Sequence, residues 1–372
     1  MNTLPSPHTD SPLRSTHTTN FPQLLHQLGI SLLVTTYQAG KLVIVRPDPE
    51  QPELLNTHFC AYAKPMGVAH TAGRLAIGTT RGITELRDVP ALAARCTPRH
   101  AYDACFVPRN SHVTGDIQIH EMAYGGDQLW FVNTVFSCLC TRDPEYSFVP
   151  RWRPPFVTEL SPEDRCHLNG LAMQGNEPRW LTALGTTDHA GGWRENKRNG
   201  GVLIDMKSDA VVASGLSMPH SPRWYQDRLW IAESGTGSVG TISMDSGCYL
   251  PLATLAGFTR GLDFFGPFAF VGLSQVRESA IFSGIPITSQ GSAADRMCGV
   301  VVLDIRSGQQ VASLKFEDGV QEIFGLVVLP GIRYPHVIHD EVALMDSTYV
   351  LPDEALAAVP RPLRVDGREL GT

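Results

Sequence analysis

Residues 115–134 read GDIQIHEMAYGGDQLWFVNT and contain the unit from which the chain is built. A polar start with His120 and Glu121 leads into a short apolar run, a glycine turn follows, and a second, stronger apolar run ends the segment. Short apolar runs separated by glycine-rich turns are typical of antiparallel strands. The stretch therefore predicts a β-hairpin whose first strand begins with ionisable side chains.

Similar units recur along the chain at intervals of roughly 40 to 60 residues. They begin with KPMGVAHTAGRLAIG at Lys64, QIHEMAYGGDQLWFVN at Gln118, HLNGLAMQGNEPRWLTALG at His167, PHSPRWYQDRLWIAES at Pro219, TRGLDFFGPFAFVGLS at Thr259 and QEIFGLVVLPG at Gln321. Repeats of this length with several short strands are typical of β-propellers, in which each repeat forms one blade. The sequence therefore predicts an all-β, six-bladed β-propeller.

The two ends of the chain are predicted to share one blade. The last repeat is short of strands, whereas the hairpin SLLVTTYQAGKLVIV (31–45) precedes the first start. Closure by N-terminal strands removes the free sheet edge that the ring would otherwise have. We therefore expect residues 31–47 to pair with a strand near the C-terminus. A pair of β-sandwiches or an α/β fold is the alternative, but the short, Gly- and Pro-rich connections leave little room for helices.

Composition argues against several classes of protein. The 372 residues are 42% hydrophobic and 18% charged, which indicates a packed globular chain. The formal net charge of −7 argues against a broad basic surface for nucleic acid, and no apolar run reaches the roughly 20 residues of a membrane span. We expect residues 1–24, which are polar and rich in Ser, Thr and Pro, to be a disordered tail, and residues 25–372 to form a single domain.

The eight cysteines are dispersed along the chain, at Cys60, Cys96, Cys105, Cys138, Cys140, Cys166, Cys248 and Cys298. The N-terminus lacks the apolar stretch of a secretory signal. Dispersed cysteines in a large chain favour buried free thiols over a disulfide framework. We therefore expect a cytoplasmic protein whose cysteines are structural.

The polar strand starts are expected to face one mouth of the central channel. The first strand of each blade lines that channel, so the leading residues of neighbouring blades lie close together. Three consecutive starts contribute His120, His167 and His220. Neutral imidazoles bind zinc, iron, copper or manganese, and three protein ligands leave coordination positions open. We predict a divalent transition metal at these histidines, with a hydrated polar channel as the alternative.

Other polar side chains are candidates for catalysis and substrate binding. Glu121 or Glu322 is a candidate fourth ligand or general base, and Arg260 a candidate catalytic residue that orients an anionic group. The Gly-rich insertion TTDHAGGWRENKRNGG (186–201) is expected to bind substrate. The candidate substrate-binding residues are Trp193, Arg194, Lys197, Asn169 and His112. We expect a carbonyl, or a carboxylate such as Glu121, Asp116 or Glu322, to hold the second nitrogen of each histidine.

Eight blocks of the sequence, in order, resemble the signature segments of a bacterial family of conserved hypothetical proteins of the DUF4915 type. They read SHVTGDIQIHEMAY, LWFVNTVFSCL, YSFVPRWRPPF, EDRCHLNGLAM, GGWRENK, GLSMPHSPRW, GFTRGL and QEIFGL. The resemblance implies no particular activity. The architecture is also similar to NHL and gluconolactonase-like propellers and to peptidyl-hydroxyglycine lyases, and the likeness to these lyases implies zinc on three channel histidines. A channel rich in histidine rather than carboxylate favours a transition metal over calcium.

The expected function is that of a metal-dependent enzyme acting on an anionic or peptide-like small molecule at the channel mouth. One open metal site supports hydrolysis, lyase chemistry or oxygen-dependent oxidation, so the reaction class stays open. We expect no nucleic-acid or membrane partner. The alternative is a non-catalytic propeller that binds a protein or glycan partner on the same face.

Overall fold

The computed structural model describes residues 13–98, 101–276, 283–289 and 295–364. Within these residues the strands form six small sheets, antiparallel except for one added edge strand. The innermost strand of each sheet contacts the innermost strand of the next, and the last contacts the first. The predicted all-β, six-bladed β-propeller is confirmed.

Blades 1 to 3 are built from the two ends and the first third of the chain. Blade 1 contains, from channel to rim, β25 (Gly325–Pro330), β2 (Ile30–Thr35), β3 (Lys41–Pro47) and β4 (Leu55–Ala61). Blade 2 contains β5 (Val68–Thr71), β6 (Arg74–Gly78), β7 (Gly82–Asp88), β8 (Ala104–Val113) and β26 (Pro335–Val337). Blade 3 contains β9 (Ile119–Gly125), β10 (Gln128–Asn133), β11 (Cys138–Thr141) and β12 (Val149–Trp152).

Blades 4 to 6 follow in chain order. Blade 4 contains β13 (Leu168–Gln174), β14 (Glu177–Ala183), β15 (Gly201–Asp205) and β16 (Ala210–Leu216). Blade 5 contains β17 (Pro219–Tyr225), β18 (Arg228–Glu233), β19 (Ser238–Ile242) and β20 (Tyr249–Thr254). Blade 6 contains β21 (Phe258–Phe265), β22 (Phe268–Ser274), β23 (Gly299–Asp304), β24 (Gln310–Phe316) and β1 (Ser15–His17).

Blade 1 joins the two ends of the chain. β2 pairs antiparallel with β25, in a register that runs from Ile30 opposite Pro330 to Thr35 opposite Gly325. β2 also pairs with β3, which continues the sheet toward the rim. Ladder hydrogen bonds between N- and C-terminal strands therefore close the ring, and the predicted pairing of residues 31–47 with a C-terminal strand is confirmed.

The predicted disordered tail over residues 1–24 is wrong for residues 13–24; residues 1–12 lie outside the described residues. β1 pairs with β24 at the rim of blade 6. Helix α1 (Phe21–Leu28) follows, and Phe21 and Leu25 are completely buried. The polar composition hid a short amphipathic helix, whose apolar side chains are stabilised by burial in the seam between blades 6 and 1.

The C-terminal segment leaves the ring after β25. β26 pairs in parallel with β8 at the rim of blade 2. The short helices α2 (Val342–Asp346) and α3 (Asp353–Leu356) follow. Leu344 and Met345 pack against an apolar cluster beneath β8, so this end of the chain lies against the outside of the propeller.

The hydrophobic core is divided among the seams between neighbouring blades. In the seam between blades 3 and 4, for example, Val132 and Leu139 of one blade pack against Leu168 and Leu181 of the next. The apolar side chains stand on both faces of each sheet because each sheet has a neighbour on both sides, which explains the continuous apolar runs. All eight cysteines are unpaired and only Cys248 is exposed, as the sequence predicted. Among the described residues, no helix combines the length and apolarity that a bilayer span requires.

Candidate functional site at one channel mouth

A cavity of about 220 Å³ lies where the inner strands begin. Ring side chains and charged groups make up much of its wall, among them His120, His167, His220, Arg260, Glu322, Arg194, Trp193, Tyr37, Phe258 and Phe324. The six blade starts therefore meet at one place, because a closed ring brings equivalent strand ends together. The three predicted metal-ligand histidines all border this cavity.

His120 and His220 occupy equivalent positions in blades 3 and 5. The residue two places earlier, Gln118 or Met218, has a positive φ of 52° or 47°. In each case the Nδ1 atom of the histidine lies within hydrogen-bonding distance of that residue's carbonyl oxygen, at 3.0 Å for His120 and 2.9 Å for His220. A residue in the left-handed conformation thus directs its carbonyl oxygen at the imidazole two positions later. This local turn fixes the orientation of the imidazole.

In these two blades, a hydroxyl group just beyond the end of the second strand completes the arrangement. Thr134 Oγ1 lies 2.8 Å from Nδ1 of His120 and donates to the carbonyl of Leu168, in the next blade. Ser234 Oγ lies 2.9 Å from Nδ1 of His220 and donates in the same way to the next blade. Because each hydroxyl proton is used, the oxygen accepts, and Nδ1 must carry the imidazole proton. Nε2 of both rings then has a free lone pair.

His167 reaches the cavity differently from the other two. It is itself the left-handed residue, with φ of 51°, and Asn169 holds the position equivalent to His120 and His220. The expectation that all three histidines are copies of one position is therefore wrong. Nδ1 of His167 lies 2.9 Å from Oδ1 of Asp164. Its ring is perpendicular to that of His120, with 4.7 Å between centroids.

Asp164 organises the wall beside His167. Its Oδ2 accepts hydrogen bonds from Nε1 of Trp193 at 2.8 Å and from Nη2 of Arg194 at 3.1 Å. Trp193 is buried, and its ring lies 4.4 Å from that of His167. Each histidine thus has a carbonyl or carboxylate acceptor at Nδ1, as expected, but none of the acceptors is Asp116, Glu121 or Glu322. In the sequence, the position of Asp164 three residues before His167 was the feature that could have predicted this contact.

Burial determines the protonation of the two equivalent histidines. Burial, with the charges of neighbouring groups, lowers the pKa of His120 and His220 well below 6.5. Both imidazoles are therefore neutral at pH 7, which is the state that binds a metal. Among the described residues, no hydrogen bond occupies Nε2 of His120, His167 or His220.

Arg260 and Glu322 form the charged side of the cavity. Nη1 of Arg260 lies 3.3 Å from Oε1 of Glu322, and its Cζ lies 3.4 Å from the ring centroid of Phe324. Burial lowers the pKa of Arg260 to about 10, and burial also raises the pKa of Glu322. Within the described part of the chain, the buried Nη2 of Arg260 has no hydrogen-bond partner. A buried cationic donor without an acceptor is costly, so this atom favours an anionic ligand.

The nitrogens of the three histidines are not gathered around one point. Among the described residues, the group of three ligand-type atoms that all lie within 4.8 Å of one another belongs to His339, Asp340 and Glu341, at the rim. The channel histidines border one cavity, but at least one pair of their nitrogens is more widely separated than that. A shared ion would require the side chains to move closer together.

Two candidate substrate-binding residues lie away from the cavity. Nε2 of His112, on β8, lies 2.8 Å from the carbonyl oxygen of Ser147. Asn169 is buried and bridges blades 4 and 5, because it donates to the carbonyl of Pro219 and accepts from Thr182. Both side chains are engaged in holding the fold together.

The insertion contributes two of its three candidate residues to the cavity. Trp193 and Arg194 are in the wall. Lys197 is not in the wall, and its Nζ lies 3.4 Å from Oγ of Ser283. Tyr37 and Phe324 also line the cavity and were not selected from the sequence, because aromatic side chains at strand ends resemble core residues.

Glu121 points away from the histidines. Its carboxylate accepts a hydrogen bond of 3.0 Å from Nη2 of Arg223. Burial raises the pKa of Glu121, an effect that Arg223 opposes. Arg223 and Asp263 border a second cavity of about 240 Å³, farther along the inner strands. Glu121 therefore belongs to an ion pair in the channel interior and is not in the wall of the histidine cavity.

His70, in the wall of this second cavity, is expected to make stability depend on pH. Burial lowers its pKa from 6.5 to about 4, and its buried Nε2 has no partner within the described residues. Below pH 6.5 the unfolded chain binds the proton first, so stability present above that pH is lost as the pH falls. Between pH 7 and pH 4.5 the loss through His70 should be about 2 kcal/mol.

Urea unfolding at several pH values measures this effect. A His70→Asn variant should lose less stability on acidification than the wild type, whereas His26→Asn, at an exposed position, should behave like the wild type. An unchanged pH slope in His70→Asn would contradict the assignment.

The sequence of this propeller matches a known protein family. A family model described as "Domain of unknown function (DUF4915)" matches residues 19–338, which span all six blades. The chain belongs to the DUF4915 family. The match of this DUF4915 protein includes helix α1 and ends just after β26, in agreement with the ordered N-terminal segment. No curated protein matches the sequence.

Two solved structures show the fold of this DUF4915 protein in other chains. A chain in the crystal structure of the nidogen/laminin complex is similar with a TM-score of 0.53 and 10% identity, covering 81% of this chain and 99% of that chain. A protein of unknown function from Bacteroides caccae is similar with a TM-score of 0.50 and 10% identity, covering 81% and 98%. At this identity the similarity establishes the propeller fold alone.

Proposed function

We propose that this DUF4915 protein is a metal-dependent enzyme that binds a small anionic molecule in the cavity at the channel mouth. One observation carries the proposal: three imidazoles border one cavity, each held at Nδ1 by a carbonyl or carboxylate and each without a hydrogen bond at Nε2. Metal-binding histidines are typically held in this way, because the acceptor at one nitrogen fixes the ring and directs the other nitrogen to the metal. Nitrogen ligands of this kind suit zinc, iron, copper or manganese.

The metal would supply a Lewis acid or a bound water of lowered pKa. His120, His167 and His220 would hold it. The imidazoles of His120 and His220 are neutral and need not release a proton when a metal binds, which favours metal binding at pH 7. Glu322 lies in the same wall and is the carboxylate best placed to accept a proton, since burial raises its pKa.

Arg260 is proposed to bind the anionic group of the substrate. Its unpartnered Nη2 faces a buried environment, and its guanidinium is held by Glu322 and Phe324. Arg194 and Trp193 also line the cavity and are held by Asp164, so they would contact the remainder of a molecule that fits in about 220 Å³. A phosphate or carboxylate group suits the guanidinium.

Binding without catalysis is the second candidate function. The spacing of the histidine nitrogens favours it, since they do not all lie within 4.8 Å of one another. In that case Arg260 and the surrounding rings would bind an acidic protein or glycan partner at the same mouth, and no metal would be required.

Metal content separates the two functions. Purified protein should bind a transition metal at the channel, and His120→Asn, His167→Asn and His220→Asn should each lose it while remaining folded. Asp164→Asn should weaken metal affinity by about 10- to 100-fold, because Asp164 positions His167. His112→Asn is the matched control and should retain the metal. Equal metal content in all channel variants and the wild type would favour binding without catalysis.

The anion site can be tested with inorganic phosphate as the probe. Phosphate should protect the wild type against thermal unfolding, and this protection should be lost in Arg260→Gln. Arg306→Gln, at an exposed ion pair, should keep it. Equal protection of Arg260→Gln and the wild type would contradict the role of Arg260 in either function.

A further inference from the structure

A second histidine cluster lies at the rim, where the C-terminal segment crosses blade 1. The segment HVIHDE (336–341) follows the start of β26. Two alternate residues of β4, and Tyr62 just beyond its end, face this segment. His58 lies beside His336, Cys60 Sγ lies 3.7 Å from the carbonyl oxygen of Val337, and Tyr62 stacks on His339. The two segments thus pack side by side, although almost the whole propeller separates them in sequence.

The cluster combines imidazoles and carboxylates at short separations. Ligand-type atoms of His339, Asp340 and Glu341 all lie within 4.8 Å of one another. Nε2 of His336 lies 2.6 Å from Oε1 of Glu341. Two imidazoles and two carboxylates are a ligand set that zinc uses, and the two negative charges would balance a divalent cation.

Polar atoms in this cluster lack hydrogen-bond partners. Within the described residues, the buried atoms Oε2 of Glu341, Nδ1 of His336 and the hydroxyl of Tyr62 have none. His336 is 6% exposed. A buried carboxylate oxygen without a donor is costly, and native proteins seldom retain such atoms unless water or an ion satisfies them. The negative charge of the Glu341 carboxylate is therefore not balanced by a hydrogen-bond donor at Oε2.

Arg46 supplies a positive charge near this cluster. It contacts the ring of Tyr334 and donates to the carbonyl of Pro335, which are both neutral partners. Among the described residues, the ion pair of Glu341 is with His336, and none joins it to Arg46.

We infer that His339, Asp340 and Glu341, with His336, form a structural site for a divalent transition metal such as Zn²⁺. The ion would fix the conformation of residues 336–341, which pack against β4. This site is separate from the channel cavity, and it does not depend on the function proposed for that cavity.

The test uses the full-length protein, stripped with a chelator and then given Zn²⁺ alone. Bound ions per chain are counted by elemental analysis after desalting. A His339→Asn/Glu341→Gln variant should lose one ion per chain. The matched control, His26→Asn/Glu53→Gln, changes the same residue types at exposed positions and should lose none. The channel variant His120→Asn/His167→Asn should keep the rim ion, so failure of one site is distinguishable from failure of the other.

Hydrogen exchange gives a second readout that does not require the variant to fold. Zn²⁺ at about ten times its Kd should slow exchange of the backbone amides of residues 336–341 about tenfold, if exchange occurs only from the metal-free form. Circular dichroism verifies that the rim variant is folded. The same number of bound ions in the folded rim variant and the wild type would overturn the inference, as would unchanged exchange with Zn²⁺ in the wild type.

Discussion

A Glu121→Ala variant is expected to lose about 3–5 kcal/mol of its free energy of unfolding. Glu121 and Arg223 form a 3.0 Å ion pair whose side chains are 9% and 19% exposed. Removing the carboxylate leaves the guanidinium buried with less compensation, and arginine cannot discharge this cost by losing a proton. Asp263 also interacts with Arg223 and should recover only part of the loss. Urea unfolding at pH 7 measures the difference.

Replacing both partners is the informative control. A Glu121→Leu/Arg223→Met double variant removes the unpaired charge and should be closer to the wild type than Glu121→Ala is, since apolar replacement of a buried pair is often neutral. Glu317→Ala, which breaks the more exposed pair with Lys315, should cost less than about 1 kcal/mol. A loss from Glu121→Ala no greater than that from Glu317→Ala would show that the channel pair is not important for stability.

A Phe21→Ala variant is expected to lose about 3–5 kcal/mol of its free energy of unfolding. The Phe21 side chain is completely buried in the cluster that joins blades 6 and 1. Truncation removes apolar contacts and leaves a cavity that strands on both sides cannot easily fill. The same seam lies beside the closure of the ring by β2 and β25, so the loss should appear in global unfolding measured with urea.

An exposed apolar residue provides the comparison for Phe21. Val113 is 72% exposed at the end of β8, and Val113→Ala should change stability by no more than about 0.5 kcal/mol. If Phe21→Ala were as mild as Val113→Ala, helix α1 would contribute little to stability, and residues 13–24 would behave as the tail that their composition suggested.

The repeat made much of the fold predictable. Each strand start is local in sequence, and six similar starts could be counted without any knowledge of long-range contacts. Ring closure was predictable for the same reason, because unpaired strands at the two ends had only each other as partners. Helix α1 was missed because its apolar periodicity extends over only one or two turns, with Phe21 and Leu25. This signal is weak in a segment whose composition is polar and rich in Ser and Thr.

The candidate site was predictable only in part. His120 and His220 could be placed because each stands at the start of a repeat, and the structure shows that both follow a positive-φ residue two positions earlier. Glu121 could have been separated from them by the alternation of side chains along a strand, which directs adjacent residues to opposite sides. The roles of Asp164, Phe324 and the rim segment HVIHDE required the folded chain. Asp164 and HVIHDE lie outside the repeated units, and Phe324, although it lies in the last unit, resembles a core residue.

The sequence by itself determined the strands, their number and the circular order of the blades, because hydrophobic periodicity and turn residues act over a few positions. Tertiary structure alone decided which polar side chains meet. It brought His120 within 4.7 Å of His167 from another blade, paired Glu121 with Arg223 instead, and placed residues 336–341 against β4. The physical reason is that these contacts join segments far apart in the chain, and the packing of the closed ring, rather than any local pattern, sets the distances between their side chains.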